Sequence, residues 1–156
     1  MHSAYAFVLV CTVFLMDMRE GLAMGVFDRL VLFSEVHGTV LKDGKPVAGA
    51  EVIQKVVWSD NENDIPRQRA ITDETGTFSF PAIERRAGLL RLLPAQPTMQ
   101  QELLIRYQGA EYIAWQHGKG SYNANTELDG RPIRLVCELT RPPNYEGKHY
   151  GICRAD

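Results

Sequence analysis

Glu35-Val36-His37-Gly38-Thr39-Val40, then Asp43-Gly44-Lys45-Pro46-Val47-Ala48-Gly49-Ala50-Glu51-Val52, then Thr72-Asp73-Glu74-Thr75-Gly76-Thr77-Phe78-Ser79-Phe80 are the three runs whose reading decides the fold. In the first, Val36, Gly38 and Val40 recur at the two-residue period of a strand. Asp43-Gly44 is a tight-turn dipeptide, because glycine adopts positive φ without steric cost. Pro46 cannot donate to a ladder, which places it at a strand start or edge. Ala50, Val52 and Gln54 share one face of the next strand. Asp73 to Gly76 supplies a second turn, and Phe78 and Phe80 point the same way from a third strand. Nothing in this arrangement requires a catalytic residue.

Working outward, residues 27–35 form a short helix or a lead-in strand that buries Leu30, Val31, Leu32 and Phe33. The second strand continues to Trp58, with Val52, Val56 and Trp58 in phase. Residues 59–66 hold Asp60, Asn61, Glu62, Asn63, Asp64 and Pro66 and read as a loop. Residues 67–72 return as a strand. Leu89, Leu90, Leu92 and Leu93 cluster between Gly88 and Pro94 at near-helical spacing, which predicts a helical turn or two packed on the sheets. Leu103, Ile105 and Tyr107 mark one strand, and residues 111–116 mark its hairpin partner, with Tyr112 and Ala114 alternating against Ile113 and Trp115. Residues 117–125 read as a polar loop. Ile133, Leu135 and Cys137 share a face of a further strand, and residues 141–156 read as an irregular tail laid over the surface. The expectation is an all-β chain: a single antiparallel β-sandwich of about seven strands with a short helical insertion.

A length of 156 residues suits one domain, and a hydrophobic content of 45% supplies a core. The formal net charge of −2 argues against a nucleic-acid surface, which needs basic residues. Arg85-Arg86 with Arg91 makes only a small basic cluster.

Residues 4–16 form an apolar run too short for the roughly 20 residues that span a bilayer, so no stable membrane span is expected. Two readings of residues 1–23 stand. The run has the length of a signal-peptide core, and Gly21-Leu22-Ala23 offers small residues for cleavage. Against this, Met1-His2-Ser3 carries no Lys or Arg, and Asp17 and Glu20 sit before the cleavage position. The other reading is a mis-assigned start, with translation beginning at Met24. Both put the working domain at residues 24–156. They differ over compartment: periplasmic in the first case, cytoplasmic in the second.

Candidate chemistry is sparse. His37, His117 and His149 show no metal-ligand spacing, and no nucleophile elbow, phosphate loop or Cys-His pairing is recognisable. Asp60, Glu62 and Asp64 alternate as calcium-loop acids do, but the glycine and closing glutamate of such a loop are missing. No cofactor, metal or catalytic residue is therefore assigned. If the chain is exported, Cys137 and Cys153 pair and pin the tail to the sandwich. If it is cytosolic, Cys137 is a small buried hydrophobe and Cys153 a free thiol. The aromatics Trp58, Trp115, Tyr122, Tyr145 and Tyr150 lie on or near loops. They serve either as ordinary packing or as anchors of an interaction surface, where Trp and Tyr are enriched. Trp58, Trp115 and Tyr122 with Asp60, Glu62 and Asp64 make the candidate partner surface, the acids supplying rim charge that speeds encounter with a basic partner.

The runs quoted first resemble the carboxypeptidase-regulatory-like, prealbumin-like sandwich modules. That resemblance implies fold rather than function. Hydroxyisourate hydrolases share the prealbumin-like fold and carry a Tyr-Arg-Gly-Ser tetrapeptide. This chain has Tyr150-Gly151-Ile152-Cys153 instead, so that activity is not expected. A narrower likeness rests on Leu32-Phe33-Ser34-Glu35-Val36-His37-Gly38-Thr39-Val40, Tyr112-Ile113-Ala114-Trp115, Leu135-Val136-Cys137-Glu138-Leu139 and Tyr150-Gly151-Ile152-Cys153. In these the chain resembles a bacterial family of unknown function whose members resemble immunity proteins encoded beside type VI secretion toxins. The resemblance implies a non-enzymatic domain that binds and blocks one cognate secreted toxin, with lipases and peptidases among the toxins of such neighbourhoods. A structural or adaptor module of a secretion system is the alternative. A carbohydrate-binding sandwich with Trp58 and Trp115 as stacking platforms is a third reading.

Overall fold

The computed structural model describes residues 29–58, 65–88 and 97–156. The expected signal peptide or mis-assigned start, the acidic loop at Asp60, Glu62 and Asp64, and the Leu89–Leu93 helical turn lie outside the described residues.

The chain is all-β. Its strands are β1 (Arg29–Phe33), β2 (Val36–Lys42), β3 (Lys45–Pro46), β4 (Glu51–Trp58), β5 (Arg67–Ile71), β6 (Thr77–Phe80), β7 (Ile83–Arg86), β8 (Met99–Tyr107), β9 (Ala110–Lys119), β10 (Ile133–Glu138), β11 (Asn144–Glu146), β12 (His149–Gly151) and β13 (Cys153–Ala155). A 3-10 turn, Thr126–Leu128, lies between β9 and β10. One sheet runs β11-β12-β9-β8-β4-β5. The second runs β13-β10-β2-β3, with β6 also paired to β2. β1 and β7 make a separate antiparallel pair. A single apolar cluster takes Val52, Val56, Leu103 and Ile105 from the first sheet and Val36, Val40, Ile133 and Leu135 from the second. The two sheets therefore face each other as a sandwich over one core.

Local chemistry explains the turns. Asp43 and Gly44 both have positive φ, 52° and 72°, as a two-residue hairpin between β2 and β3 demands. The Glu138 carboxylate closes this turn from β10, accepting from the N–H groups of Asp43 and Gly44 at 2.9 Å each. In the second turn, Asp73 Oδ1 accepts from the N–H groups of Thr75 and Thr77, each at 2.9 Å. Gly38 faces Phe78 across β2 and β6, and the Phe78 ring occupies the space a side chain at 38 would need.

Four features depart from the sequence expectation. First, β2 and β10 run parallel, from Val36 opposite Ile133 to Leu41 opposite Glu138, so the sandwich is not wholly antiparallel. The long chain between them supplies the crossover that a parallel pair needs. Second, the segment expected to be a polar loop continues β9 as far as Lys119, and His117 and Lys119 are buried. Third, the alternation in β9 breaks. Leu103 opposes Trp115 while Leu104 opposes Ile113, so Ala114 is an extra residue in a bulge and both Ala114 and Trp115 face the core. Fourth, the tail is regular. It adds β11 and β12 to the first sheet, then crosses and adds β13 to the second.

The bulge and the tail fit each other. The Ile113 carbonyl accepts from the Ile152 N–H at 3.0 Å. Gly151 lies against the Ala114 carbonyl, where any Cβ would collide with backbone. Ile152 is then fully buried, and Cys153, opposite Cys137 in the β10–β13 pair, is joined to it by a disulfide.

Candidate functional site

The six-stranded sheet presents two faces of different character. Its inner face carries a closed polar centre. Lys119 and Glu127 are both buried, with Nζ and Oε1 3.1 Å apart. Glu127 also accepts from Gln101 Nε2 at 2.8 Å, from the Ser34 N–H at 3.1 Å and from Ser34 Oγ at 2.8 Å. Gln101 Nε2 donates further to the Leu32 carbonyl at 3.0 Å, and Ser34 Oγ accepts from the Asn125 N–H at 2.8 Å. Burial pushes the Lys119 ammonium below its ordinary value, against the pull of Glu127. Burial acts to raise the Glu127 carboxyl, but the Gln101 hydrogen bond and the Lys119 charge outweigh it and hold the group below its ordinary value. The two side chains thus meet in the interior as each other's partner, with Gln101 and Ser34 completing the set around Glu127. It ties the β1–β2 junction, β8, β9 and the 3-10 turn together. The sequence offered no sign of it, since Lys119 and Glu127 match no motif.

Beside this centre, His149 of β12 stacks on Trp115 with ring centroids 4.0 Å apart, and His117 lies opposite His149 in the β9–β12 pair. His117 Nδ1 is 3.0 Å from the Lys148 carbonyl, and His149 Nε2 is 3.3 Å from the Cys153 carbonyl. Burial lowers the pKa of His149. Both rings are committed to backbone acceptors of the tail. Among the described residues, no group of three His, Cys, Asp or Glu side chains is placed to hold a metal ion.

The tryptophans expected at a partner surface belong to this interior. Trp115 is 0% exposed and offers nothing to a partner. Trp58 is 6% exposed, meets Tyr122 edge-on at 6.2 Å and donates from Nε1 to its hydroxyl at 3.1 Å. Tyr122 is half-buried against the core. Alternation places Trp58 in phase with the apolar residues of β4, the bulge at Ala114 turns Trp115 inward, and the core takes both. That geometry also removes the stacking platform that a carbohydrate reading requires.

Among the described residues, the outer face of the same sheet is left open. Tyr145, Tyr150, Gln116, Glu102, Lys55 and Arg67 follow one cross-strand row through all six strands. In the adjoining row, Ile113, Leu104 and Ile53 make a half-buried apolar stripe that ends at Arg69. The next row is Glu111, Arg106, Glu51 and Ile71. Ion pairs border the stripe on both sides. Lys55 Nζ is 2.6 Å from Glu102 Oε1, Arg69 Nε 2.9 Å from Glu51 Oε1, and Arg106 Nε 2.7 Å from Glu111 Oε2. Large apolar or aromatic groups stand exposed at the two ends, Tyr145 at 74% and Ile71 at 59%. An open crevice of about 420 Å³ lies at the Tyr145 end, bounded by Arg141, Glu146 and Arg154. A hollow of about 340 Å³ lies at the β5 end. An apolar centre with a paired, charged border is the composition of a protein-interaction patch.

Fold and surface together define a small all-β sandwich with one open, amphipathic sheet face. Residues 36–142 match the family described as domain of unknown function DUF6795, and the chain belongs to that family. The chain is also similar to a solved structure titled as an alternative pilotin from the type II secretion system of Vibrio cholerae. The identity is 15%, the coverage 67% of this chain and 96% of that one, and the TM-score 0.31. A superposition that loose carries no argument about role. Comparison with curated proteins gave no match. Among the described residues, no helix is long and apolar enough to cross a membrane.

Proposed function

We propose that the protein is a non-enzymatic binding domain that neutralises a cognate type VI secretion toxin by direct contact, with the outer face of the six-stranded sheet as the contact surface. The observation that carries the choice of surface is the Ile53–Leu104–Ile113 stripe inside its border of ion pairs. With strands ~4.8 Å apart and ~3.3 Å per residue, the face covers roughly 600 Å². A standard complex takes about 800 Å² from each partner, so the face and its adjoining loops are enough. A rigid sheet also lowers the ordering cost of binding.

The family resemblance read from the sequence supplies the toxin as partner, a lipase- or peptidase-type hydrolase. The Cys137–Cys153 disulfide favours an oxidising compartment, which for a bacterial protein is the periplasm. The adaptor reading uses the same face with a structural partner.

The test is protection. A secreted hydrolase found encoded beside this gene is directed to the periplasm with and without the protein, and survival is measured. Survival restored by the wild-type chain, and lost in Leu104→Asp with an unchanged thermal unfolding curve, supports the proposal. A face variant that protects as well as wild type overturns the choice of surface. A hydrolase unaffected by the protein, in cells and in a purified assay, overturns the toxin reading.

A further inference from the structure

The hollow at the β5 end is chemically one-sided. Lys55, Arg67, Arg69 and Arg106 stand around Ile53 and Leu104, and among the described residues no acidic side chain lines it. Three of these cations already have acids outside the hollow: Lys55 has Glu102, Arg69 has Glu51, and Arg106 has Glu111. Arg67 pairs with no acid among the described residues. It is exposed, and it stands opposite Lys55 in the β4–β5 pair, so two like charges face each other across the ladder. Like charges directly opposite are destabilising in a sheet unless an anion relieves them. This concentration of positive charge occurs on a chain whose net charge is −2.

We propose that this hollow is the receptor for an acidic segment of the protein partner, one that alternates carboxylate and aliphatic side chains. The inference rests on the reading of the outer face as the partner surface and adds the chemistry of what docks there. The cations select the carboxylates, Arg67 and Arg69 being able to form paired hydrogen bonds with them. The apolar floor selects the aliphatic neighbours, because Ile53 and Leu104 continue into the stripe that ends at Ile113. A small anion or a nucleic-acid backbone satisfies the cations but leaves that floor uncovered. In an extended segment successive side chains point to opposite sides, so one that lies edge-on between the two rows turns its aliphatic side chains to the Ile53–Leu104 stripe and its carboxylates to Lys55 and Arg67. Charge of this kind acts chiefly on encounter and partner choice, and salt weakens it.

The experiment uses the purified, disulfide-intact chain and two blocked synthetic peptides, Ac-Leu-Glu-Leu-Glu-Leu-amide and its counterpart with Lys for Glu, followed by NMR titration. The expected result is a saturable shift confined to the amides of Ile53, Leu104, Arg67 and Arg69 with the acidic peptide alone. Added salt weakens it, and in Arg67→Glu, an exposed change that leaves the fold intact, it weakens by about tenfold or more. No shift, an equal response to the lysine peptide, or shifts centred elsewhere overturns the proposal. Inorganic phosphate moving the same amides as strongly as the peptide also overturns it, by showing a small-anion site instead. Because this titration involves no toxin, its failure leaves the protection test standing, and failure of protection leaves this result standing.

Discussion

The inner and outer faces of the six-stranded sheet are built by the same strands, and each carries a Lys–Glu pair. Inside, Lys119 and Glu127 have side chains 1% and 0% exposed, and every oxygen and the ammonium are engaged. Outside, Lys55 and Glu102 form a shorter contact, 2.6 Å, but their side chains are 31% and 20% exposed. Distance alone would rank the outer pair as the stronger. Burial reverses the order, because removing one partner inside leaves a charge that water cannot reach. The inner face thus uses charge to fix the positions of β1, β8, β9 and the 3-10 turn. The outer face keeps its charges in contact with solvent, where a partner can meet them.

The contrast is broken most directly at Lys119. Lys119→Met leaves Glu127 buried without its cation and is expected to cost about 3–5 kcal/mol in urea unfolding. Adding Glu127→Leu to that variant should restore much of the loss, since the uncompensated charge is then gone. A single-variant cost near zero would show that the inner pair is not sealed from water.

The next effect concerns the strap that delivers His149 to the inner face. Cys137 and Cys153 are 16 residues apart, and reducing their bond is expected to cost about 3 kcal/mol on the chain-entropy account for a loop of that size. Thermal unfolding with and without a reductant measures it. An unchanged midpoint would mean that the Gly151–Ile152 insertion into the β9 bulge holds the strap alone.

Acid sharpens the comparison at the sandwich edge. Burial acts to raise the Glu138 carboxyl, but the Gly44 N–H, the Thr140 hydroxyl and N–H and the Asp43 N–H outweigh it and hold the pKa at about 2, from 4.5. A depressed carboxyl contributes stability that is present above its unfolded pKa and lost as pH falls toward the folded one. Stability should therefore fall between pH 4.5 and about 2. Glu138→Gln is expected to flatten that limb in pH-dependent unfolding, by an amount reduced by the group's exposure. A limb of unchanged slope would place the acid sensitivity elsewhere.

The smallest effect belongs to the outer face. Lys55→Met should change stability by less than about 1 kcal/mol, the range of exposed pairs. A cost approaching that of Lys119→Met would erase the distinction between the faces.

Much of this was legible in the chain. Asp43-Gly44 and the Asp73–Gly76 segment announced their turns because glycine and aspartate have few other uses at such positions. The two-residue period from Val52 to Trp58 announced β4, and every residue of that phase is buried. Proximity to loops misled at Trp58 and Trp115: the phase of β4 put the first in the core, and the β9 bulge put the second there. Lys119 and Glu127 were invisible because a charged residue in a polar run reads as solvated until its partner is known. The β9 bulge was invisible because one extra residue leaves no mark on composition.

The sequence by itself determined an all-β chain, its turns, and which residues of most strands face inward, because those follow from local sterics and from a period of two. Only the tertiary structure decided that β2 and β10 run parallel, that the tail crosses from one sheet to the other through Gly151, and that two opposite charges share the core. These depend on which distant segments meet, and a pairing across many residues is set by how the whole core closes.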